Sequence, residues 1–279
     1  MFTYIFIIII IIILILFIYS YNNIHFIKKK DIDIIFYKNK EIENYLKNLN
    51  MNNFYERMNS NEYITYQSNV IDFTNKEKLI LLKNINKVKL KIRKYNRLKN
   101  TEWNIIKVRD TLENGNPFTL DRFIFLQSYL IKDKGLEELL LHEYFHIDQR
   151  KNKDFYNNLY KKYLEWDLLE ELELNDYLKS NMVNNPDGMN NKWYFNYNQN
   201  KIIPFLVNNN GNYIVKYYIV NNHKIDSEYN NKKEIDNYLI NKYNIRKNYY
   251  HPNEIIATIL SEHIINNKKI DKKLIHFIN

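Results

Sequence analysis

The chain has 279 residues and 45% hydrophobic content, enough to bury one sizeable core. It contains no cysteine, which excludes disulfides and thiolate metal sites and leaves His, Asp and Glu as the ligands for any metal. Its net charge of +9 comes from lysines spread along a sequence that is also rich in Asn, Ile and Tyr, as an AT-rich coding sequence would give. We therefore do not expect a nucleic-acid partner from charge alone.

An apolar run occupies residues 2–19, FTYIFIIIIIIILILFIY, and is long enough to span a bilayer as a helix. It has neither the basic start nor the small-residue cleavage site of a signal peptide, so we expect residues 1–21 to be an uncleaved transmembrane anchor in contact with membrane lipid. Lysines follow the run at positions 28–30 and none precedes it. The positive-inside rule then predicts a single-pass protein with a cytoplasmic C-terminal domain, in a cellular or virion membrane.

Residues 22–100 are predicted to be a mainly helical region. One helical face is marked by apolar residues at spacings of three and four: Leu81, Ile85, Val88, Ile92 and Tyr95. Lysines at positions 83, 87, 91 and 94 occupy much of the other side. We interpret them as a solvated face; the alternative is contact with phosphates or anionic lipid.

From residue 101 to residue 279 the pattern predicts one α+β domain with a small mixed sheet and no linker that would divide it. Strands are expected at residues 103–108, 122–126, 193–197, 202–207 and 213–220. Helices are expected after Asp133 as N-cap, across residues 155–178, and across residues 251–264. Turns are expected at residues 113–117 and 185–188, where half of the chain's few Gly and Pro residues lie.

The helix after Asp133 carries the sequence His142-Glu143-Tyr144-Phe145-His146. Two histidines four residues apart project from the same helix face, so both imidazoles can reach one Zn²⁺. Glu143 would lie beside the metal and could accept a proton from a zinc-activated water. The apolar flanks of this motif indicate a buried helix. The motif therefore predicts a zinc centre with Glu143 as its catalytic residue.

A catalytic zinc has three protein ligands, so a third is required. Glu165 and Glu254 are the two candidates. Glu165 would lie on the following helix, and Glu254 near the start of the last one. Ala257, the only alanine of the chain, lies one turn after Glu254 and suggests a place where two helices must pack closely. We choose Glu254 for this reason.

The motif L-L-L-H-E-Y-F-H-I-D-Q-R resembles the active-site helix of the zincin superfamily. More narrowly, residues 100–265 resemble a group of gluzincin-type metallopeptidases of large DNA viruses, through the motif, the turns at 113–119 and 185–187, and His251-Pro252-Asn253-Glu254-Ile255-Ile256-Ala257. That resemblance implies a zincin-like fold, zinc ligands at His142, His146 and Glu254, and a catalytic Glu143. The group usually has His where this chain has Phe118.

The expected function is membrane-anchored, zinc-dependent hydrolysis of peptide bonds in a peptide or protein substrate. The strand at 122–126 could bind an extended peptide along its edge, and Tyr249, Tyr250, His251 and His223 are candidates for stabilising the oxyanion. A non-catalytic viral membrane or virion protein stabilised by zinc is the alternative, with Glu165 and Glu254 completing a structural site. A third hypothesis is a lipid or nucleic-acid binder that uses residues 83–99.

Overall fold

Helices and two β-sheets make up the part of the chain that the computed structural model describes, which is residues 23–48, 68–99, 102–187, 192–209, 212–269 and 271–278. The α-helices are α1 (Ile32–Lys38), α2 (Lys40–Asn48), α3 (Asn75–Ile92), α4 (Leu136–Lys151), α5 (Lys153–Leu159), α6 (Asp176–Asn181), α7 (Lys232–Tyr243), α8 (Pro252–Asn266) and α9 (Lys272–Ile278). The strands are β1 (Ile24–Phe26), β2 (Trp103–Val108), β3 (Phe118–Leu120), β4 (Phe123–Gln127), β5 (Trp166–Leu168), β6 (Trp193–Tyr197), β7 (Asn200–Asn209), β8 (Asn212–Asn221) and β9 (Lys224–Glu228). The predicted α+β class is confirmed.

The first sheet has the strand order β1-β2-β4-β3. Strand β2 runs parallel to β1 and to β4, and β3 is antiparallel to β4, so the sheet is mixed as expected. Every residue of β2 and β4 is buried, because apolar clusters cover both faces. The prediction that β4 offers an edge to a peptide is wrong, since β2 pairs with one of its sides and β3 with the other; the edge strand next to β4 is β3.

The second sheet is an antiparallel meander in the order β5-β6-β7-β8-β9. Three of its strands were expected: β6 confirms its predicted bounds, and β7 and β8 are confirmed with slightly wider bounds. A helix was expected over residues 155–178. The chain is helical through α5 and a π-helical turn at Tyr160–Leu164, so the prediction is right as far as residue 164 and wrong for the stretch that follows. Glu165 adopts a left-handed conformation (φ 61°) that ends the helical turns, and the next residue begins β5, where Trp166 is fully buried beside β6.

The main core joins elements from both sides of residue 100. The predicted apolar face of α3 is confirmed, because Leu81, Ile85 and Val88 are fully buried against the part of the core that includes α4 and α8. Strand β1 adds Ile24 to the same core. The helix that carries the motif is thus held between the first sheet, α3 and α8.

The predicted membrane anchor at residues 2–19 lies outside the residues that the structure describes. None of the helices within the described ranges combines the length and the apolar character that a membrane crossing requires.

Candidate metal centre

Helix α4 begins two residues later than the sequence predicted. Its N-cap is Gly135, and the side chain of Asp133 accepts a hydrogen bond from the backbone N–H of Gly135 instead of capping the helix itself. Eleven of the sixteen residues of α4 are buried, including the whole run from Leu140 to Gln149. This burial fixes the helix and the side chains that it carries toward α8.

Helix α8 starts at Pro252, with His251 as its N-cap. The ring Nδ1 of His251 accepts a hydrogen bond from the backbone N–H of Asn253, at 3.3 Å, and Pro252 occupies a first-turn position that needs no N–H donor. Ala257 is fully buried in the core that α8 shares with α4. The lone alanine therefore lies in the core in which these two helices pack.

The contact between α4 and α8 brings three metal-binding atoms together. The Nε2 atoms of His142 and His146 are 3.1 Å apart, and Oε2 of Glu254 lies 3.2 Å from the first and 3.6 Å from the second. Ligands at 2.0–2.2 Å from a tetrahedral zinc are separated from each other by about 3.3–3.6 Å. All three residues are buried. The triangle of donors therefore fits one small cation.

Two hydrogen bonds orient these donors. Nδ1 of His146 lies 2.9 Å from Oε1 of Gln149, whose Nε2 donates to the carbonyl oxygen of Asn253 at the start of α8. A carboxamide oxygen can only accept, so Nδ1 of His146 carries a proton and a metal would be bound through Nε2. Asn185 donates from Nδ2 to Oε1 of Glu254 at 2.9 Å, which leaves Oε2 toward the histidines.

Glu143 and Asp187 form a second group of donors with His146, again within 4.8 Å of one another and buried. Sequence reasoning assigned Glu143 but placed Asp187 only in a turn. Asp187 is held in the site because its Oδ1 accepts from the backbone N–H and the hydroxyl of Thr119 on β3, at 2.7 and 2.6 Å. The signal that could have found it is the NPDG sequence itself, one of few places where this chain retains Pro and Gly.

Arg150 ties this turn to the rest of the site. Its guanidinium donates to the hydroxyl and carbonyl oxygens of Thr119 and to the carbonyl oxygen of Pro186, and it forms an ion pair with Glu41 at 2.8 Å. The outward N–H and C=O of Thr119 are therefore already bound by Asp187 and Arg150. Strand β3 has no free backbone groups at this residue with which to pair a peptide.

The charges of the site call for a divalent cation. Three carboxyl groups, those of Glu143, Asp187 and Glu254, are buried here, and Arg150 is the guanidinium that stabilises the charged forms of the first two. Arg150 also pairs with Glu41, so the site keeps an excess of negative charge that a divalent cation such as Zn²⁺ would offset. Without metal, protons supply the balance. Burial and the Asp187 carboxylate raise the pKa of Glu143 well above its usual value, and burial and Glu254 raise that of Asp187.

The site shifts the pKa values of the two histidines in opposite directions. Burial lowers the pKa of His142. Burial also opposes the charged form of His146, but the carboxylates of Glu254 and Asp187 outweigh it and raise the pKa of His146 to about 10. Glu254 is likewise buried, and the adjacent histidines hold its pKa well below the usual value. The site therefore favours positive charge at the point where the three donors meet.

A cleft of about 320 Å³ opens onto these residues. Its lining includes apolar and polar side chains: Phe118, Leu139, Leu206, Tyr213, Lys247 and Tyr250. Of the candidates for stabilising an oxyanion, Tyr250 is the one that lines this cleft, and its hydroxyl oxygen accepts from Asn185 at 2.6 Å, which leaves its own proton available to donate. His223 is exposed in the β8–β9 turn, and His251 caps α8.

Glu165 does not contribute to the site. Its carboxylate binds Lys242 at 2.7 Å on another part of the surface, and its side chain is 73% exposed. Because Glu165 lies in the turn before β5 and not on a helix facing α4, it cannot reach the histidines without rearrangement of that strand.

A further carboxyl group that lines the cleft, that of Glu113, should make the stability of the protein depend on pH. Burial raises the pKa of Glu113 from 4.5 to about 7; the hydrogen bond from Tyr45 opposes this and the charge of Asp187 adds to it. The folded protein then binds a proton between pH 4.5 and pH 7 that the unfolded chain has lost, so this carboxyl makes stability fall as pH rises through that window. We expect Glu113→Gln to remove that part of the slope.

Urea unfolding of metal-free protein at pH 5 and pH 8 would test this prediction. The unfolding free energy of the parent should fall more between pH 5 and pH 8 than that of the variant. The variant should therefore be more stable relative to the parent at pH 8 than at pH 5. An equal difference at both pH values would contradict the assigned shift, because every other titrating group is common to the two proteins.

The geometry thus supplies a His-His-Glu donor set, a buried carboxylate beside it and a cleft that leads to both. Such a set with an adjacent acid is suited to holding a divalent metal and to moving a proton next to it. No protein-family model, curated protein or solved structure matches the chain, so the site is defined by its own residues.

Proposed function

We propose that the chain is a zinc-dependent metallopeptidase of the gluzincin type, tethered to a membrane by residues 2–19, that hydrolyses peptide bonds. The observation that carries this proposal is the triangle of donors from His142, His146 and Glu254, with sides of 3.1, 3.2 and 3.6 Å, next to the buried Glu143. When bound, Zn²⁺ would polarise a substrate carbonyl and acidify a water at this point.

Glu143 is the residue that would move the proton. Its Oε2 is buried and has no hydrogen-bond partner among the described residues, so an acceptor atom is held ready beside the donor triangle. Water attacks the scissile carbonyl carbon, Glu143 takes one proton from that water, and the C–N bond then breaks as Glu143 delivers the proton to the leaving amine.

Other residues of the chain would position the substrate. Tyr250 lines the cleft and could donate its hydroxyl proton to the oxygen on which negative charge develops. Asn185 orients both Tyr250 and Glu254 through its carboxamide nitrogen. The backbone of β3 is bound by Asp187 and Arg150 at Thr119, so we expect the peptide to be held mainly by the cleft walls.

Metal removal and return test this function. The full chain, purified in detergent, should contain about one equivalent of zinc by elemental analysis. Chelation should remove both the zinc and the cleavage of a peptide library, and added Zn²⁺ should restore both. Cleavage that survives chelation with no metal present would overturn the proposal.

The alternative is a zinc-stabilised protein without catalysis, for which a fourth protein ligand would close the site. Glu165, the residue expected to do this, pairs instead with Lys242. One equivalent of tightly bound zinc without cleavage of any peptide in the library would favour this alternative.

A further inference from the structure

The outward face of α3 carries an unusual line of side chains. Five exposed residues define what we call the Lys–Leu stripe: Lys76, Leu79, Lys83, Lys87 and Leu90. At 3.6 residues per turn these positions fall within an arc of about 80°. The buried face of α3, marked by Leu81, Ile85 and Val88, lies on the opposite side of the helix. The stripe therefore lies on the side of α3 that faces away from the buried core.

Two leucines in this stripe are exposed without an evident structural reason. Leu79 is 67% exposed and Leu90 is 64% exposed, the highest values among the large apolar side chains in the described part of the chain. They lie eleven residues apart on one line of the helix, a separation of about 16 Å. Isolated exposed apolar residues are common on protein surfaces. Two of them aligned between lysines are typical of a surface that contacts something partly apolar.

Every charged side chain of the stripe is a lysine. Glu77 lies on another side of α3, where its carboxylate binds the buried Lys107 at 2.8 Å. Lys87 forms an ion pair with Glu137 at 2.6 Å, which leaves Lys76 and Lys83 as the stripe's main positive charges. Lys94, which is also exposed, follows just after the end of α3 and extends the positive charge. The face is thus complementary to a negatively charged partner.

The start of the described chain lies beside the same helix. The backbone N–H of Lys29 donates to Asp72, at 2.9 Å, and the rings of Phe26 and Phe73 are 5.2 Å apart. Asp72 and Phe73 immediately precede the cap of α3, so the exposed lysines 28–30 lie near its first turn. These lysines follow the apolar residues 2–19, and a membrane that held those residues would be close to α3.

We propose that the Lys–Leu stripe rests on an anionic phospholipid surface. The leucines would enter the boundary between head groups and acyl chains, while the lysines extend toward phosphate and carboxylate head groups. An RNA would account for the lysines but not for two exposed leucines, because single-stranded nucleic acids are bound by stacking on aromatic side chains. This surface is independent of the metal centre and of its proposed activity.

The absence of cysteine allows a direct test in the full chain. A single cysteine replaces Leu79 or Leu90 and carries an environment-sensitive fluorophore; Ser227→Cys, on the exposed edge strand β9, is the control. The proteins are reconstituted in vesicles of phosphatidylcholine alone or mixed with phosphatidylserine. We expect a blue shift and quenching by lipid-borne quenchers at positions 79 and 90 in the anionic vesicles, and neither at position 227.

Charge variants complete the test. In the double variant Lys76→Gln with Lys83→Gln, the equilibrium constant for contact between the probe at position 79 and the anionic lipid should fall about fivefold for each lysine removed. Lys161→Gln with Lys162→Gln makes the same change in charge at another exposed site and should have no effect. A probe that remains in water in anionic vesicles would overturn the proposal. So would a response that is equal in the two kinds of vesicle, or one produced by RNA without lipid.

Discussion

Replacing Glu143 with Gln should leave zinc bound and lower peptide hydrolysis by about 10²–10⁴-fold. The carboxamide has nearly the same shape as the carboxylate, but it cannot accept and return a proton. The donor triangle does not include Glu143, so metal content should stay at one equivalent. The measurements are elemental analysis and the single-turnover rate of cleavage of one library peptide.

The matched control for this variant is Glu171→Gln, which makes the same chemical change at an exposed position outside the cleft. It should cleave at the parental rate. If Glu143→Gln retained full activity with its zinc in place, the proton-transfer role would be refuted even though the metal site stood. If it lost the zinc, Glu143 would have to be a ligand, and the assignment of Glu254 would need revision.

Replacing His146 with Ala should abolish stoichiometric zinc binding. His146 contributes one of three donors, and the variant would leave only two, beside a carboxylate whose charge is then uncompensated. Gln149→Leu keeps all three donors but removes the hydrogen bond that orients His146 and the one to the Asn253 carbonyl, so we expect it to weaken zinc affinity by about 10–100-fold. We therefore expect the parent to bind zinc most tightly, Gln149→Leu to bind it more weakly, and His146→Ala to bind it most weakly.

Competition with a fluorescent chelator measures these affinities, and thermal unfolding with and without zinc gives an independent check. The parent should gain about 2.7 kcal/mol when free zinc is one hundred times its dissociation constant. His146→Ala should gain nothing. Glu254→Gln should resemble the His146 variant, whereas Glu165→Gln should resemble the parent. A loss of zinc in Glu165→Gln with full affinity in Glu254→Gln would contradict the third donor.

Local periodicity in the sequence predicted the elements that build the core around the site. The spacing of Leu81, Ile85 and Val88 identified the buried face of α3, and the run from Trp103 to Val108 identified β2. The histidine spacing and the position of Ala257 were enough to predict which carboxylate meets the two imidazoles. These features could be found because each depends on a few neighbouring residues or on one strong steric requirement.

Long-range contacts explain what the sequence could not predict. Asp187 enters the site only because the turn that carries it leaves the second sheet and meets Thr119 at the edge of the first. The flanking Pro186 and Gly188 mark the turn, but they do not indicate which residue Asp187 meets. Likewise the short strand β5 looked like part of a helix, because its place is decided by pairing with β6 and not by its three residues. Helix α7 was missed because only Ile235 and Leu239 are buried on it.

The donor triangle joins residues that are 112 positions apart, because α4 provides both imidazoles and α8 provides the carboxylate. During synthesis, a nascent chain that has emerged only through the second sheet carries the two histidines but lacks Glu254 and the helix that buries them. Metal capture must therefore wait until α8 leaves the ribosome and docks. Any hydrolytic activity that depends on this metal would then be withheld until α8 has packed against α4.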